Sequence, residues 1–166
     1  MSKKIVLFAG LLLFSAGAFA QDKIAYFNST EVITAMPEFT AMQDSLQKTQ
    51  NVIEAEMKIL EEEYNKKYTA FMSEAEGLVE SIKVRRMQEI QDIAARAETF
   101  QQQSREQFLQ LQEQLLTPIK QKVQDTLKAV GTENNYTYIL EIGQVLYFSP
   151  SAANATPQVK AKLGLK

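Results

Sequence analysis

The side chains that most often carry out chemistry are missing from this chain. It has no histidine and no cysteine, which removes the commonest general base and metal ligand together with thiolate nucleophiles and disulfides. Ser-His-Asp centres, Cys-His centres and histidine-bearing zinc sites are therefore excluded. What remains is carboxylate, concentrated in the triplet Glu61, Glu62 and Glu63 and in the pair Glu74 and Glu76. Three consecutive helical residues fan over about 200° of a helix, so the triplet cannot converge on one ion and reads as a solvated face. Glu74 and Glu76 fall in an exposed arm with no pocket to shift their acidities, so they have no setting for acid–base work. No G-x-x-x-x-G-K loop occurs to cradle a nucleotide. The expectation is a protein without catalytic, cofactor or metal residues. Its one concentrated positive patch is Lys83, Arg85 and Arg86.

The stretch that would position any binding residues runs from Pro37 to Gly131. Inside it only Gly77 and Pro118 oppose a helix, while Gln, Glu, Lys, Ala and Leu fill the rest. At about 1.5 Å per residue, the part before Gly77 makes a rod roughly 60 Å long and the part after it at least as long. Such rods must project from the remainder of the chain, and a turn near residues 76–81 folds one back along the other as an antiparallel helical hairpin. On the first rod Phe39, Met42, Leu46, Thr49 and Ile53 alternate three and four apart. The series continues through Met57, Leu60, Tyr64, Tyr68, Phe71, Ala75 and Leu78 with a four-residue step that locally unwinds a heptad. On the second rod the stripe runs Val79, Ile82, Arg86, Ile90, Ile93, Ala97, Phe100, Ser104, Phe108, Leu111, Leu115, Ile119, Val123, Leu127 and Val130, with a mean spacing of about 3.6. Two weakly supercoiled rods are expected. Pro118 predicts a kink, or a break between two helices, where the arm meets a body, and Gly131 predicts the helix end.

The chain opens with Met1, Ser2, Lys3 and Lys4, an apolar run from Ile5 to Phe14, and Ala18-Phe19-Ala20. A basic region, a short apolar core and an A-x-A site predict a secretory signal over residues 1–20, cleaved after Ala20, and the apolar run is shorter than the ~20 residues of a membrane span. Cleavage takes Lys3 and Lys4 with it, lowering eighteen basic residues to sixteen against twenty acidic ones, a net charge of −4. That balance argues against nucleic acid as a partner.

Lys23 to Phe27 reads as a strand, and Asn28 with Glu31 three residues later as the start of a short helix ending at Ala35. Pro37 suits the first turn of the first rod. Beyond Gly131, Tyr136–Ile142 and Val145–Ser149 flank Gly143-Gln144, the pattern of a type II′ β-hairpin. A single hairpin and one more strand leave apolar surface that other chains must cover. Thr156 and Pro157 start a terminal helix over Gln158 to Leu163, ended by Gly164.

Several strings in this order resemble the Skp/OmpH family of periplasmic outer-membrane-protein chaperones: K-I-A-Y-F-N-S-T-E-V-I-T-A-M-P-E at 23–38, R-R-M-Q-E-I-Q at 85–91, L-L-T-P-I-K-Q-K-V at 115–123, Y-T-Y-I-L-E at 136–141 and K-A-K-L-G-L at 160–165. The resemblance implies an α+β, mainly α, jellyfish-like homotrimer with a small β body and three helical-hairpin tentacles around a cavity. The body would comprise residues 21–36 and 119–166, with Ile24, Tyr26, Tyr138, Leu140, Ile142, Leu146 and Phe148 in the trimer contact, and the tentacle residues 37–118, hinged at Pro118. The implied activity is an ATP-independent holdase for unfolded outer-membrane β-barrel proteins. Well-known members carry strongly basic tentacles, whereas residues 38–130 here hold twelve basic and sixteen acidic residues, so long-range electrostatic capture is not implied by the resemblance.

Near the turn Phe71, Met72, Leu78, Val79, Ile82 and Met87 are more apolar residues than two-helix packing requires, and methionine repacks readily against varied partners. Some of these are expected to touch client, with Lys83, Arg85 and Arg86 supplying any charge. The alternative is that they simply close the end of the hairpin. A non-enzymatic scaffold or adaptor of the cell envelope is the competing function. Transient contact with a membrane surface stays open, with no transmembrane anchor after processing.

Overall fold

A computed structural model of the chain describes residues 22–166; the expected signal sequence, residues 1–20, lies outside the described residues. Two helices make up most of the described chain. Helix α2, Pro37–Glu74, has 38 residues, and helix α3, Glu80–Asn134, has 55, or about 57 and 83 Å at the usual rise. Pro37 occupies the first turn of α2, directly after an extended Met36 (φ −77°, ψ 132°), where its missing N–H leaves no bond unmade. The helices are joined by a 3-10 turn at Ala75–Gly77, followed by extended Leu78 and Val79. The turn lies at residues 75–79, overlapping the expected place, but uses no left-handed residue. Gly77 has no positive φ, and a Cβ there would meet nothing within 4 Å.

The apolar stripes of the sequence are the seam of this hairpin. On α3, Ile90, Ile93, Ser104, Ile119, Val123 and Val130 are buried, and the intervening stripe positions from Ile82 to Leu127 are half-buried. On α2, Met42, Leu60 and Phe71 are buried, and Phe39, Leu46, Thr49, Ile53, Met57 and Tyr64 are half-buried. Tyr68 departs from the stripe and is exposed; its ring stacks on Tyr64 at 5.9 Å. The four-residue steps around it carry the stripe off the seam, and Phe71 restores contact.

Two helix boundaries differ from expectation. Helix α3 runs unbroken through Pro118, so the two-helix alternative is overturned; proline only deprives the Gln114 carbonyl of its helical donor. It also passes Gly131 and ends at Asn134, with Asn135 in the left-handed conformation (φ 54°) donating its N–H to the Gly131 and Thr132 carbonyls. A Cβ at Gly131 would lie 3.6 Å from Ile139 Cδ1, an ordinary van der Waals contact, so neither turn geometry nor packing demands glycine there.

The chain ends build the body. Strand β1, Ile24–Phe27, is the centre of a three-stranded sheet between β2, Tyr138–Glu141, and β3, Ala153–Asn154. Both pairings are parallel, Ile24 opposite Tyr138 and Ala25 opposite Ala153. The expected antiparallel hairpin is therefore wrong. Residues 142–144 form a 3-10 turn, residues 145–149 form no strand, and Gly143 lacks the positive φ that a type II′ turn requires at its first central position. Helix α1, Ser29–Ala35, is N-capped by Asn28, whose Oδ1 accepts from Glu31 N–H at 3.0 Å. Glu31 does not close a capping box: the Asn28 N–H donates to Thr156 Oγ1 at 3.0 Å. Helix α4, Thr156–Lys162, accordingly begins without a Thr156 side-chain cap.

Ala25 and Phe27 of β1 point inward onto Val32 of α1, Met36 between α1 and α2, Val123 and Val130 of α3, and Val159 of α4. The same core continues up the hairpin root through Met42 and Ile119. Phe27→Ala is expected to cost about 3–5 kcal/mol by emptying this core. Gly77→Ala is expected to stay within about 0.5 kcal/mol of wild type. Urea unfolding of both variants followed by circular dichroism measures the contrast; a large loss for the turn variant would show that Gly77 is structurally required.

Candidate functional site

Two surfaces bring the sequence-predicted residues together. The first is the outer face of the sheet. Side chains alternate along a strand, so once Ala25 and Phe27 face the core, Ile24 and Tyr26 face away, with their register partners Tyr138 and Leu140 beside them. Ile24 is 49% exposed, Tyr138 57% and Leu140 43%. Phe148 folds back to stack on Tyr26 with ring centroids 4.6 Å apart, while Leu146 stands fully in solvent. Ile142 is half-buried in the 3-10 turn, off the strand. Five of the seven predicted body residues thus lie on one face, although the hairpin expected to present them is absent.

That face is held at both ends. The Lys23 ammonium donates to the Asn134 carbonyl at 2.9 Å and sits 4.7 Å above the Tyr136 ring, closing the end of α3 onto β1. At the other end both Glu141 carboxylate oxygens accept from the Ser29 N–H at 3.2 Å, and the Ala155 N–H donates to the Tyr26 carbonyl at 2.9 Å.

The second surface is the arm tip, and the structure divides its predicted residues. Phe71 is buried, and Leu78 and Ile82 are half-buried, so these three close the hairpin end. Met72, at 59% exposure, and Val79, at 67%, are open to solvent, as is Met87 to a lesser degree. An open groove of about 420 Å³ runs between Phe71, Glu80, Lys83, Val84, Met87, Gln88 and Gln91. The positive patch is smaller than its sequence suggests. Arg86 is paired with Glu74, Arg85 lies 3.9 Å from Glu89, and only Lys83 of the three makes no ion pair among the described residues. Pro118 borders an apolar groove of about 390 Å³ formed with Ala41, Met42, Leu115 and Ile119, rimmed by Glu38 and Lys122.

Sequence reasoning missed the charges that link the two helices. Glu38 pairs with Lys122, Glu63 with Arg96, Lys67 with Glu89 and Glu74 with Arg86. The partners step in opposite directions along α2 and α3, so all four obey one antiparallel register. The detectable signal was opposite charge at positions mirrored about the turn. The Lys122 hydrogen bond holds the Glu38 carboxyl below its ordinary range, and the Lys67 hydrogen bond does the same for Glu89, helped by the charges of Arg85 and Arg86.

Among the described residues no helix is long and apolar enough to cross a membrane, and no group of acidic residues is placed to hold a metal. The family described as Outer membrane protein (OmpH-like) matches residues 23–163, from the start of β1 through α4. The chain belongs to this family. Two relatives, each called chaperone protein Skp, from Photorhabdus luminescens and Photorhabdus laumondii subsp. laumondii, are 25% identical over 152 residues, covering 89% of each chain. The crystal structure of an OmpH-like outer membrane chaperone from Caulobacter crescentus superposes with a TM-score of 0.75 over 87% of this chain and 85% of that one, at 14% identity. At that identity the likeness establishes the fold alone. The OmpH-like match thus takes in both surfaces, the outer sheet face and the arm tip.

Glu38 and Glu89 have folded pKa values below their unfolded ones. Their pairs therefore stabilise the hairpin above the ordinary glutamate range and cease to do so as pH falls through the lowered values. A carboxyl-carbon NMR titration should place both midpoints below those of unpaired glutamates. Lys122→Met should return Glu38 to the ordinary range and leave Glu89 unchanged; an unmoved Glu38 would refute the assigned cause.

Proposed function

We propose that this chain is an ATP-independent periplasmic holdase that keeps unfolded outer-membrane β-barrel proteins soluble within a cavity bounded by its arms. The observation that carries this reading is the apolar outer sheet face of Ile24, Tyr138, Leu140, Tyr26 and Phe148, set at the root of a projecting hairpin. A three-stranded sheet with one uncovered apolar face calls for a further layer. Copies of the same chain supply it in this reading, as a homotrimer whose three hairpins stand side by side. The chaperone names of the Photorhabdus relatives support the activity. In this reading residues 1–20 are a secretory signal, cleaved after Ala20 to release the chain into the periplasm.

Within this reading the body comprises residues 21–36 and 119–166 and the tentacle residues 37–118, hinged at Pro118. The core that reaches Met42 and Ile119 supports a firm root for the arm, and the groove beside Pro118 supports compliance just above it. Met72, Val79 and Met87 offer client-accessible apolar surface at the tip, whereas Phe71, Leu78 and Ile82 serve chiefly to shape it. Lys83 and Arg85 provide the remaining positive charge there. Binding uses contact and cavity confinement, with no nucleotide, metal or nucleic acid.

The test uses the mature chain, residues 21–166. Solution mass should be that of a trimer, and a urea-denatured outer-membrane β-barrel diluted into stoichiometric trimer should stay soluble without ATP. A client that aggregates as fast as in buffer would point to a scaffold instead, and a monomer would remove the cavity. Leu140→Asp should dissociate the trimer, because it places an unpaired carboxylate in the contact; a variant that remains trimeric would show that this face is not the interface.

A further inference from the structure

The groove at the arm tip has walls from both helices. Glu80, Lys83, Val84, Met87, Gln88 and Gln91 recur three and four apart, so they form one strip of α3, about 16 Å long, and Phe71 of α2 closes the other side. Phe71 is buried and makes a fixed wall, whereas Val84 and Met87 are exposed. Lys83 stands apart from the other lysines of α2 and α3. They are all exposed, while Lys83 is half-buried and makes no ion pair among the described residues. Its stem can lie on the apolar strip with the ammonium held at the rim. Glu80 is one turn away on the same groove and does not pair with it.

We infer that this groove is a binding site for a single aromatic side chain presented by an extended, unfolded polypeptide. The inference rests on the holdase reading for the source of the ring and adds what the tip recognises. Four kinds of occupant can be compared against the lining. A carboxylate is drawn to Lys83 but repelled by Glu80, and it loses water against Phe71 and Met87. A cation meets the reverse charges and the same loss of water. An aliphatic side chain gains only from the apolar area it covers. A neutral ring covers that area too, and each neighbour adds an attraction specific to it: the Phe71 ring by edge or offset contact, the Met87 thioether, and the unpaired Lys83 ammonium against the negative π face. The charge of the lining is thus complementary to the quadrupole of a ring and to neither sign of ion. Gln91 adds an amide that can bond the backbone on either side of the ring, while Gln88 already donates to Asp92 at 2.8 Å.

The methionines provide the readout. The mature chain, with its methionine methyls carbon-labelled for NMR, is titrated with short peptides of glycine and serine that carry one central tryptophan, leucine or glutamate. The tryptophan peptide should move the Met87 methyl, leave those of the buried Met36 and Met42 in place, and bind about fivefold more tightly than the leucine peptide. The glutamate peptide should bind more weakly than either. Lys83→Gln keeps most of the stem and removes the charge; it should weaken the tryptophan peptide about threefold and leave the leucine peptide unchanged. Tryptophan and leucine peptides of equal affinity, a glutamate peptide that binds best, or a Met87 methyl that stays still would each overturn the assignment, and none of these needs a variant to fold. Solubility of the denatured β-barrel reads the holdase separately. A protein that protects the barrel yet shows no aromatic preference loses this inference alone, whereas one that binds the ring and lets the barrel aggregate loses the holdase reading and, with it, the client as the source of the ring.

Discussion

Strand β1 is the constraint on which the rest of the structure depends. It is four residues long, yet it pairs with β2 on one edge and β3 on the other, both drawn from the far end of the chain. A parallel pairing cannot be closed by a tight turn; it needs a crossover. In this chain the crossover between β1 and β2 is α1, the whole of α2 and the whole of α3. The sheet therefore fixes where the arm begins and ends, and the antiparallel return of α3 along α2 brings Tyr138 back beside Ile24. Ordering a loop of that length is entropically costly, and the seam and the body core must offset it together. This accounts for a core that does not stop at the sheet but climbs the hairpin root to Met42 and Ile119.

The seam was legible in the sequence because helix periodicity is a local property. The stripe from Ile82 to Val130 recurs in the structure, including the unpromising Ser104, which is buried in the seam. Tyr68 was misplaced for an equally local reason: two four-residue steps in succession turn the stripe away from the partner helix. The sheet was not legible. Gly143-Gln144 between two apolar runs has the composition of a tight hairpin, and nothing nearby reveals that Tyr138–Glu141 will instead pair in parallel with a strand at the opposite end of the chain. Gly131 misled in the same way. The helix runs on past it, and the left-handed position falls to Asn135 instead.

The candidate surfaces show a related division. Ile24 with Tyr26, and Tyr138 with Leu140, could be recognised as surplus apolar pairs before their pairing was known, because strand alternation puts the members of each pair on one face; Phe148 joins them only through its stack on Tyr26. At the tip, composition alone could not separate Phe71, which packs, from Met72, which does not. The acidic balance of the arm also acquires a physical meaning. Eight of the 28 charged residues between 38 and 130 engage one another across the hairpin in four pairs, and these act on its register.

The unequal lengths of α2 and α3 have a mechanical consequence. Helix α3 continues past Lys122 for a further three turns and buries Val123 and Val130 in the body, whereas α2 begins at the body's edge with Pro37. The arm is therefore a cantilever clamped more deeply through α3, with α2 anchored at its root by Met36 and Met42. A sideways force at the tip is resisted at the base by the embedded end of α3 and the buried first turns of α2, with the charged rungs coupling the two helices above them. Bending such a pair shears the interface between the helices before it disturbs the core. The body can in this way stay intact while the far end of the arm moves.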